Sequence, residues 1–320
     1  MLLELDALTI RFGTEAEGRV AVDAIDLAID RGEWLSLVGE SGCGKSLTSS
    51  ALVGLAPESA TVSAASYRFD GRPIDVDGDS IRALRGAGIG LVFQDPLAAL
   101  DPVETIGAQL VETVRAHASM SRAAAKARAL ELLSEAGLAE PAHAFARVPH
   151  ELSGGQRQRA TLALALAPSP KLLVADEATT ALDPTLRLGL VAHLDRLRKE
   201  RGLAILFVTH DLGLVAHAAD RIAVMYAGRI VEIGPRDALL HAPRHPYTRG
   251  LVGSMPSIGR DLRRLPTIAG VVPGLGKLPP GCAFGPRCES VDDTCRTLRP
   301  ESRVDAGRAA ACFHPIGPVP

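Results

Sequence analysis

The sequence is poor in several features, and each absence excludes a class of protein. Aromatic residues make up only 3% of its 320 residues, and the net charge is −2 with both signs interspersed. Because there is no basic surplus, we expect no nucleic-acid partner. Apolar residues still amount to 47% of the chain, so a sizeable core can form from aliphatic side chains. The length suits one large domain with an appendage, or two modest domains.

Long apolar runs are also missing. The most apolar stretch, residues 160–175, is interrupted by Pro168, Pro170 and Lys171. It falls short of the roughly 20 apolar residues that a spanning helix needs. The N-terminal residues include acidic side chains and favour strands over a signal peptide. We therefore expect a cytosolic protein whose link to a membrane runs through partner chains.

The order of apolar segments predicts an α/β fold. Strands separated by helices imply a parallel sheet, whereas alternating polar and apolar residues imply antiparallel strands. The predicted elements are antiparallel strands over 1–32, strands at Trp34–Val38, Leu172–Ala175 and Ala204–Val208, helices from about Ser46 and over Leu186–Lys199, a helical insertion over 103–148, and a hairpin over 221–234 turning at Ala227–Gly228. Ten of the 22 prolines lie in the last 65 residues, which predicts a boundary near residue 256 and a loop-rich tail.

One glycine-rich segment has the pattern of a phosphate-binding loop. It fits G-x-x-x-x-G-K-[ST] between a strand and a helix, the context that this motif requires. Its residues are Gly39, Glu40, Ser41, Gly42, Cys43, Gly44, Lys45 and Ser46. The glycines let backbone N–H groups point at phosphate oxygens. Lys45 would pair with the β- and γ-phosphates of ATP, and the Ser46 hydroxyl would bind Mg²⁺. The alternative is a glycine-rich turn without a ligand.

A second segment supplies two carboxylates at the end of an apolar strand. Asp176 and Glu177 follow Leu172–Ala175 and come about 130 residues after the loop. Asp176 would hold Mg²⁺ through water, and Glu177 would orient or deprotonate the attacking water. An Asp-Glu pair at a strand end is otherwise an ordinary solvated turn.

Between these motifs stands a pentapeptide that is rare by chance: Leu152, Ser153, Gly154, Gly155 and Gln156. It resembles the signature of ABC-type ATPases, and the likeness covers about residues 1–255. The resemblance implies a P-loop ABC nucleotide-binding domain with a parallel-sheet core, an antiparallel β subdomain and a helical subdomain at about 95–160. The signature should begin a helix whose positive end adds N–H donors.

The resemblance extends to four further positions. Gln94 is similar to the family's Q-loop residue, a Mg²⁺ and water sensor that touches the transmembrane partner. Ala181–Asp183 resembles the D-loop, His210 the switch histidine that contacts the γ-phosphate, and Phe12 the aromatic that stacks on adenine. In the family, two domains pair head to tail, so that each ATP lies between one loop and the other chain's signature. Taken singly, each of these residues could equally be structural.

One position departs from the family pattern. Residue 178, after the proposed catalytic Glu177, is Ala where most relatives carry Pro. This difference loosens a turn but removes no phosphate-handling group. We therefore expect a site that is competent for hydrolysis.

Two later motifs are similar to those of the oligopeptide/dipeptide permease branch of bacterial importers. They are His245–Leu251 (HPYTRGL) and Gly281–Cys288 (GCAFGPRC). The resemblance implies an ATPase domain at 1–255, a four-cysteine region at 256–320 and a place on the cytoplasmic face of the inner membrane. The implied partners are a homologous second ATP-binding subunit, two transmembrane permease subunits and an extracytoplasmic solute-binding protein.

Four of the five cysteines lie in the tail. Cys282, Cys288, Cys295 and Cys312 have 5, 6 and 16 residues between successive members, and no C-x-x-C pair of the zinc-ribbon kind is present. Such spacing suits the corners of an iron–sulfur cluster, and the branch is thought to carry a 4Fe–4S cluster here. Zinc and reduced, unliganded thiols are the alternatives. We expect a structural role, although a redox sensor that gates the ATPase is compatible with the sequence.

Two other functions of ABC-type ATPases are alternatives to peptide import: nickel import and a role outside transport. Nickel importers share the architecture of the peptide branch, and the ATPase subunit does not contact the cargo. A non-transport ABC ATPase of DNA repair or translation would carry coiled-coil insertions or two cassettes. This chain has one cassette, no long heptads and no basic patch.

Overall fold

The computed structural model describes residues 1–13, 18–179, 183–255 and 267–317, except for the side chains of residues 184 and 185. Its strands are β1 Leu3–Phe12, β2 Arg19–Ile29, β3 Trp34–Val38, β4 Ala60–Ser63, β5 Ser66–Phe69, β6 Arg72–Pro73, β7 Ile89–Val92, β8 Leu172–Asp176, β9 Ala204–Thr209, β10 Arg221–Tyr226, β11 Arg229–Pro235, β12 Arg303–Asp305 and β13 Arg308–Ala310. Its helices are α1 Lys45–Ala51, α2 Asp79–Leu84, α3 Ile106–His117, α4 Arg122–Glu135, α5 Pro141–Phe145, α6 Gly154–Leu166, α7 Pro184–Arg201, α8 Leu212–Val215, α9 Arg236–His241, α10 Pro246–Gly253 and α11 Asp293–Thr297. Among the described residues, no helix is both long and apolar enough to cross a membrane.

The chain forms two compact units. Within the described residues, unit 1 comprises Met1–Ile29, Trp34–Asp77 and Thr209–Pro320, and unit 2 comprises Asp30–Glu33 and Gly78–Val208. The tail residues therefore group with the N-terminal strands in unit 1. The predicted boundary near residue 256 lies outside the described residues.

Unit 1 contains an antiparallel sheet centred on β1. This strand pairs with β2 along one edge and with β4 and β5 along the other, and β6 pairs with β5. Apolar side chains alternate along β1 and β2, and those facing the core are almost completely buried. The antiparallel strands that the sequence predicts over 1–32 are thereby confirmed among the described residues.

A second set of strands in unit 1 carries the loop that precedes α1. β3 pairs in parallel with β10, β10 forms an antiparallel hairpin with β11, and β13 adds antiparallel to β11 with β12 beyond it. The predicted hairpin turn is confirmed, because Ala227 and Gly228 both have positive φ, as a type I′ turn requires. The β12–β13 hairpin uses the same device at Ala306 and Gly307.

Unit 2 combines three parallel strands with the helical insertion. β8 lies between β7 and β9, and both pairings are parallel. All residues of β8 and β9 are buried, which explains their unbroken apolar sequences. The predicted insertion over 103–148 forms α3, α4 and α5. α7 ends at Arg201, and Gly202 after it has a φ of 62°, the left-handed conformation that stops a helix.

Candidate functional site

The glycine-rich loop joins β3 to α1, as its pattern predicts. Two glycines are required by close neighbours. A Cβ on Gly39 would lie 2.2 Å from the Met225 carbonyl oxygen, and Gly44 has φ 107° with the Met225 side chain 2.8 Å from its Cβ position. The loop backbone thus passes directly against β10, which fixes its path in unit 1.

The lysine of the loop folds back on the loop itself. The Lys45 Nζ donates to the carbonyl oxygens of Gly39 at 2.8 Å and Glu40 at 3.1 Å, and it lies 3.8 Å from the Cys43 sulfur. Lys45 is almost fully buried. Cys43 is buried as well, and burial raises the pKa of its thiol despite the nearby Lys45. Two backbone carbonyl oxygens of the loop therefore hold the Lys45 ammonium group against the loop.

Phe12 lies in the same pocket as the loop. The pocket of unit 1 that holds the Phe12 ring is also lined by Gly42, Gly44 and Leu47, together with β2 residues Val20 and Ala21. The hairpin turn at Ala227–Gly228 and three residues of the tail (Pro273, Leu275 and Leu278) complete the lining. Phe12, which we predicted to stack on adenine, therefore lines the same pocket as the loop.

In unit 2, the structure brings Gln94 and Glu177 together. The Gln94 Nε2 donates to a Glu177 carboxylate oxygen at 3.2 Å. Glu177 stands just after β8, its N–H donates to the Val208 carbonyl oxygen at 2.9 Å, and its φ is +45°. Asp176 and Glu177 are both buried, with 7% and 8% of their surfaces exposed. Buried carboxylates in a sparsely populated backbone conformation are typical of functional sites.

The signature segment begins a helix, as predicted. Ser153 is the N-cap of α6, and its hydroxyl accepts from the Gln156 N–H at 3.3 Å. The Gln156 side chain accepts in return from the Ser153 N–H at 2.9 Å, which completes a capping box. The first-turn N–H groups of Gly154 and Gly155 have no partner within the helix. They therefore provide donors and a positive helix end for an anion.

The remaining predicted residues lie at the ends of elements. His210 follows β9 and is exposed. The turn after it is fixed, because Asp211 accepts from the N–H groups of Gly213 and Leu214 and caps α8. Asp183 is exposed before α7, whereas Ala181 and Leu182 lie outside the described residues.

The four tail cysteines converge. Cys282, Cys288, Cys295 and Cys312 line one small pocket of unit 1, whose walls also include His245. Burial raises the thiol pKa values of Cys282 and Cys295, and raises that of Cys312 to about 11. Thiols whose pKa is raised in this way ionise readily only when a metal cation replaces their protons.

Only one group of three metal-type ligand atoms within 4.8 Å of one another exists among the described residues: Asp292, Cys295 and His314. Its contacts are those of a cap and an ion pair. Asp292 accepts from the Cys295 N–H at 2.8 Å and contacts the His314 Nε2 at 2.9 Å. The Cys295 N–H is the main cause that lowers the pKa of Asp292 to about 2. A helix cap and an ion pair therefore account for the positions of these three residues without a metal ion.

The chain is similar to known proteins in both its ATP-binding and its C-terminal region. The model of the ABC transporter family matches residues 22–180, and the model of the oligopeptide/dipeptide transporter C-terminal region matches residues 231–295. A dipeptide transport ATP-binding protein (DppD) of Escherichia coli is 41% identical over 98% of this chain and 97% of its own length. The chain belongs to the ABC transporter ATP-binding family. A Brucella melitensis protein, provisionally named a peptide import ATP-binding protein, is 45% identical to this family member over 98% of the chain and 96% of the relative.

Solved structures of family members agree with the predicted fold class. The ATP-binding cassette MJ0796, in a dimeric post-hydrolysis state bound to ADP and phosphate, has a TM-score of 0.66 and 29% identity; the match covers 73% of this chain and 99% of that one. A component of the cbiONQ transporter from Clostridium perfringens, cbiO1, matches with a TM-score of 0.64 and 29% identity over 74% and 90% of the two chains. The P-loop ABC fold is therefore confirmed.

Sequence reasoning missed two residues that hold the phosphate loop. The Glu40 N–H donates to the Tyr247 hydroxyl at 2.9 Å, and the Glu40 carboxylate receives two hydrogen bonds from Arg287. Both residues belong to the motifs that indicate the peptide branch. Those motifs marked the branch but gave no hint of a contact with the loop.

Proposed function

We propose that this chain hydrolyses ATP to power the import of dipeptides and oligopeptides through partner transmembrane subunits. The observation that carries the proposal is the full-length likeness to peptide-transport ATP-binding proteins, which includes the C-terminal region at 231–295. The loop, the carboxylates and the capped signature helix supply the chemistry that hydrolysis needs. We assign residues 1–255 to the ATPase domain and 256–320 to the C-terminal region.

The residues of unit 1 bind the nucleotide in this proposal. Phe12 stacks on the adenine, and backbone N–H groups of the loop receive phosphate oxygens. Lys45 exchanges its contacts with the Gly39 and Glu40 carbonyls for contacts with the β- and γ-phosphates. Ser46 binds Mg²⁺, and His210 contacts the γ-phosphate.

The residues of unit 2 act on the attacking water and on the partner's ATP. Glu177 orients or deprotonates the water, and the hydrogen bond from Gln94 holds the carboxylate for this role. Asp176 and Gln94 provide further oxygen ligands for Mg²⁺, which prefers such ligands. The signature (Leu152, Ser153, Gly154, Gly155 and Gln156) and Asp183 serve the ATP bound by the opposing chain.

This mechanism requires a second ATP-binding chain. The solved relative MJ0796 is dimeric, and the α6 N-terminus offers donors that an ATP of another chain can use. We propose a heterodimer with a homologous ATPase, located peripherally on the cytoplasmic face of the inner membrane. Two permease subunits and a solute-binding protein complete the complex.

We further propose that Cys282, Cys288, Cys295 and Cys312 hold a 4Fe–4S cluster. The four side chains share one pocket, yet no three of these described thiols lie within 4.8 Å of one another. A single tetrahedral zinc would hold its sulfurs about 3.8 Å apart, given a Zn–S distance of about 2.3 Å. Wider spacing fits a cluster, whose corners are thiolate ligands. When bound, the cluster would supply a covalent staple for the loop-rich tail.

Peptide uptake tests the proposed function in cells. A strain lacking this chain should lose uptake of labelled dipeptides, and the wild-type gene should restore it. The Glu177→Gln variant should be expressed but should restore none. Nickel uptake is the control that distinguishes the nearest alternative cargo. Restoration of nickel uptake without peptide uptake would contradict the proposed cargo, whereas full complementation by Glu177→Gln would contradict the assigned mechanism.

A further inference from the structure

Glu40 is the second residue of the phosphate loop, and residues far along the chain hold both its backbone and its side chain. Its N–H donates to the Tyr247 hydroxyl, 207 positions later. Its two carboxylate oxygens accept from the two terminal nitrogens of Arg287, 247 positions later, at 2.8 and 3.0 Å. All three residues lie in unit 1. We call Tyr247 and Arg287 the C-terminal anchor.

The guanidinium of Arg287 makes hydrogen bonds to several groups besides Glu40. Its Nε donates to the Ala269 carbonyl oxygen at 2.8 Å, and one terminal nitrogen also lies 3.3 Å from the Ile268 carbonyl oxygen. The other terminal nitrogen reaches the Tyr226 hydroxyl at 3.4 Å. Together with the bidentate contact to Glu40, these bonds employ all five N–H donors of an arginine. Only 5% of the Arg287 side chain is exposed. The carbonyl oxygens of Ile268 and Ala269 therefore orient the Arg287 guanidinium towards Glu40.

Aromatic rings make the support rigid. Tyr226, Tyr247 and Phe284 form a cluster with ring centroids 4.7 to 5.4 Å apart. The Arg287 guanidinium lies 5.7 Å from the centre of the Tyr226 ring and 5.9 Å from that of Phe284. Such packing restricts the rotamers of the anchor and adds cation–π attraction. Phe284 and Arg287 belong to the same cysteine-containing segment of the tail.

From these contacts we infer that the C-terminal anchor positions the phosphate loop, so that the affinity for MgATP depends on the tail. The inference rests on the proposed function. Its physical reason is the chain of contacts at Glu40, whose carbonyl oxygen accepts from Lys45 while its N–H and carboxylate are held from the tail. A loop that is fixed at Glu40 presents Lys45 and the following N–H groups in one arrangement. Without the anchor, ATP binding must order the loop first, which weakens the observed affinity.

The alternative is that Arg287 only attaches the tail to the rest of unit 1 and has no effect on the phosphate loop. Another arginine of the tail provides a control for this alternative. Arg308 also joins the tail to the body of unit 1 through a buried ion pair, with Glu232 at 2.9 Å, and its side chain is 10% exposed. The carboxylate of this pair is the more deeply buried of the two, because none of the Glu232 side chain but 29% of the Glu40 side chain is exposed. Glu232 accepts from the N–H groups of Arg244 and His245, which lie outside the phosphate loop. A variant at Arg308 therefore removes a tail contact that does not involve Glu40, and it is linked to Tyr247 only indirectly, through the hydrogen bonds of His245.

The experiment measures MgATP affinity and thermal unfolding of the purified full-length chain with Arg287→Gln, Arg287→Lys, Arg308→Gln and Tyr247→Phe. We expect Arg287→Gln to weaken MgATP binding by about tenfold or more, and Arg287→Lys to recover part of that loss, because an ammonium retains the charge but not the fork. Tyr247→Phe keeps the ring cluster and removes only the hydroxyl, so it should weaken binding while leaving the unfolding temperature nearly unchanged. Arg308→Gln should lower the unfolding temperature and change ATP affinity by less than about twofold.

The outcomes separate the inference from the proposed function. Equal losses of ATP affinity in Arg287→Gln and Arg308→Gln would overturn the positioning role, as would unchanged affinity in both Arg287→Gln and Tyr247→Phe. A wild-type chain that binds no MgATP would instead overturn the proposed function. If Arg287→Gln does not fold, Tyr247→Phe and Arg287→Lys decide the question by the same criteria.

Discussion

Glu177 combines three unusual properties in one residue. It is a buried carboxylate, its φ is +45°, and a glutamine side chain holds its oxygen. A non-glycine residue in this backbone region costs of order 1–3 kcal/mol. This strained backbone conformation occurs at Glu177, the residue that we predicted to orient or deprotonate the attacking water.

Replacing this carboxylate should separate binding from chemistry. We expect Glu177→Gln to lower the rate of ATP hydrolysis by about 10²- to 10⁴-fold, the usual contribution of a general base. MgATP affinity should remain within a few-fold of the wild type, because the loop and Phe12 are unchanged. Equilibrium binding and single-turnover hydrolysis measure the two quantities. Substantial residual turnover would contradict the role of Glu177.

His245 is a buried histidine whose task is structural. Its Nδ1 accepts from the Tyr247 N–H at 3.0 Å and caps α10, and its backbone N–H donates to the Glu232 carboxylate at 2.9 Å. Burial lowers the pKa of the imidazole to about 4. The ordinary value of about 6.5 applies to the unfolded chain. As the pH falls from 6.5 towards 4, His245 becomes protonated in the unfolded chain but stays neutral in the folded chain. The free energy of unfolding therefore falls.

An asparagine at this position should remove that pH dependence. Asn accepts the same type of capping bond but does not titrate. Between pH 6.5 and 4, the free energy of unfolding of the wild type should decrease more steeply than that of His245→Asn, by up to about 1.4 kcal/mol per pH unit. Denaturant titrations at several pH values provide the comparison. Parallel pH profiles for the two proteins would contradict the buried, neutral state of His245.

At the scale of elements, the loop between β3 and α1 depends on two glycines for different reasons. Gly39 is required by space, since its Cβ would lie 2.2 Å from a backbone oxygen of β10. Gly42 is required only by conformation, since its φ is +81° and nothing lies within 4 Å of its Cβ position. The loop thus contains its own control for a steric effect.

Alanine substitutions should distinguish these two causes. Gly42→Ala should lower the free energy of unfolding by about 1–2 kcal/mol, the cost of a side chain in the left-handed region. Gly39→Ala must displace the loop from β10 and should reduce stability further while abolishing MgATP binding. Thermal unfolding and nucleotide titration of both variants test the difference. Equal effects would contradict the close packing of the loop against Met225.

The sequence predicted most elements whose residues repeat with a clear period. The buried strands at Leu172 and Ala204, the helical insertion and the Ala227–Gly228 hairpin were all predictable, because apolar runs and turn residues act locally. The β12–β13 hairpin was not predicted. Its strands of three residues, Arg303–Asp305 and Arg308–Ala310, are too short to show alternation, and β13 pairs with a strand far earlier in the chain.

At the scale of the whole molecule, the unpredicted features are long-range contacts. The phosphate loop, the carboxylate pair and the signature were predictable, because each is a motif of a few consecutive residues. The contact between Glu40 and Arg287 joins positions 247 apart, and no local pattern encodes a partner at that distance. Through Arg287, the GCAFGPRC motif contacts the phosphate loop as well as carrying two of the tail cysteines. The tail is therefore both a candidate metal region and a support for the phosphate loop.

If ATP hydrolysis by this chain is coupled to peptide import, peptides should control its rate in the assembled transporter. The most direct test isolates the complete complex anaerobically from its native membrane and measures ATP hydrolysis with the solute-binding protein, alone and loaded with dipeptides, oligopeptides or nickel. The account predicts that short peptides stimulate hydrolysis, that a homologous ATPase and permease subunits co-purify, and that Glu177→Gln removes the stimulated activity. A complex that responds to nickel but not to peptides, or a chain recovered without membrane subunits, would contradict it.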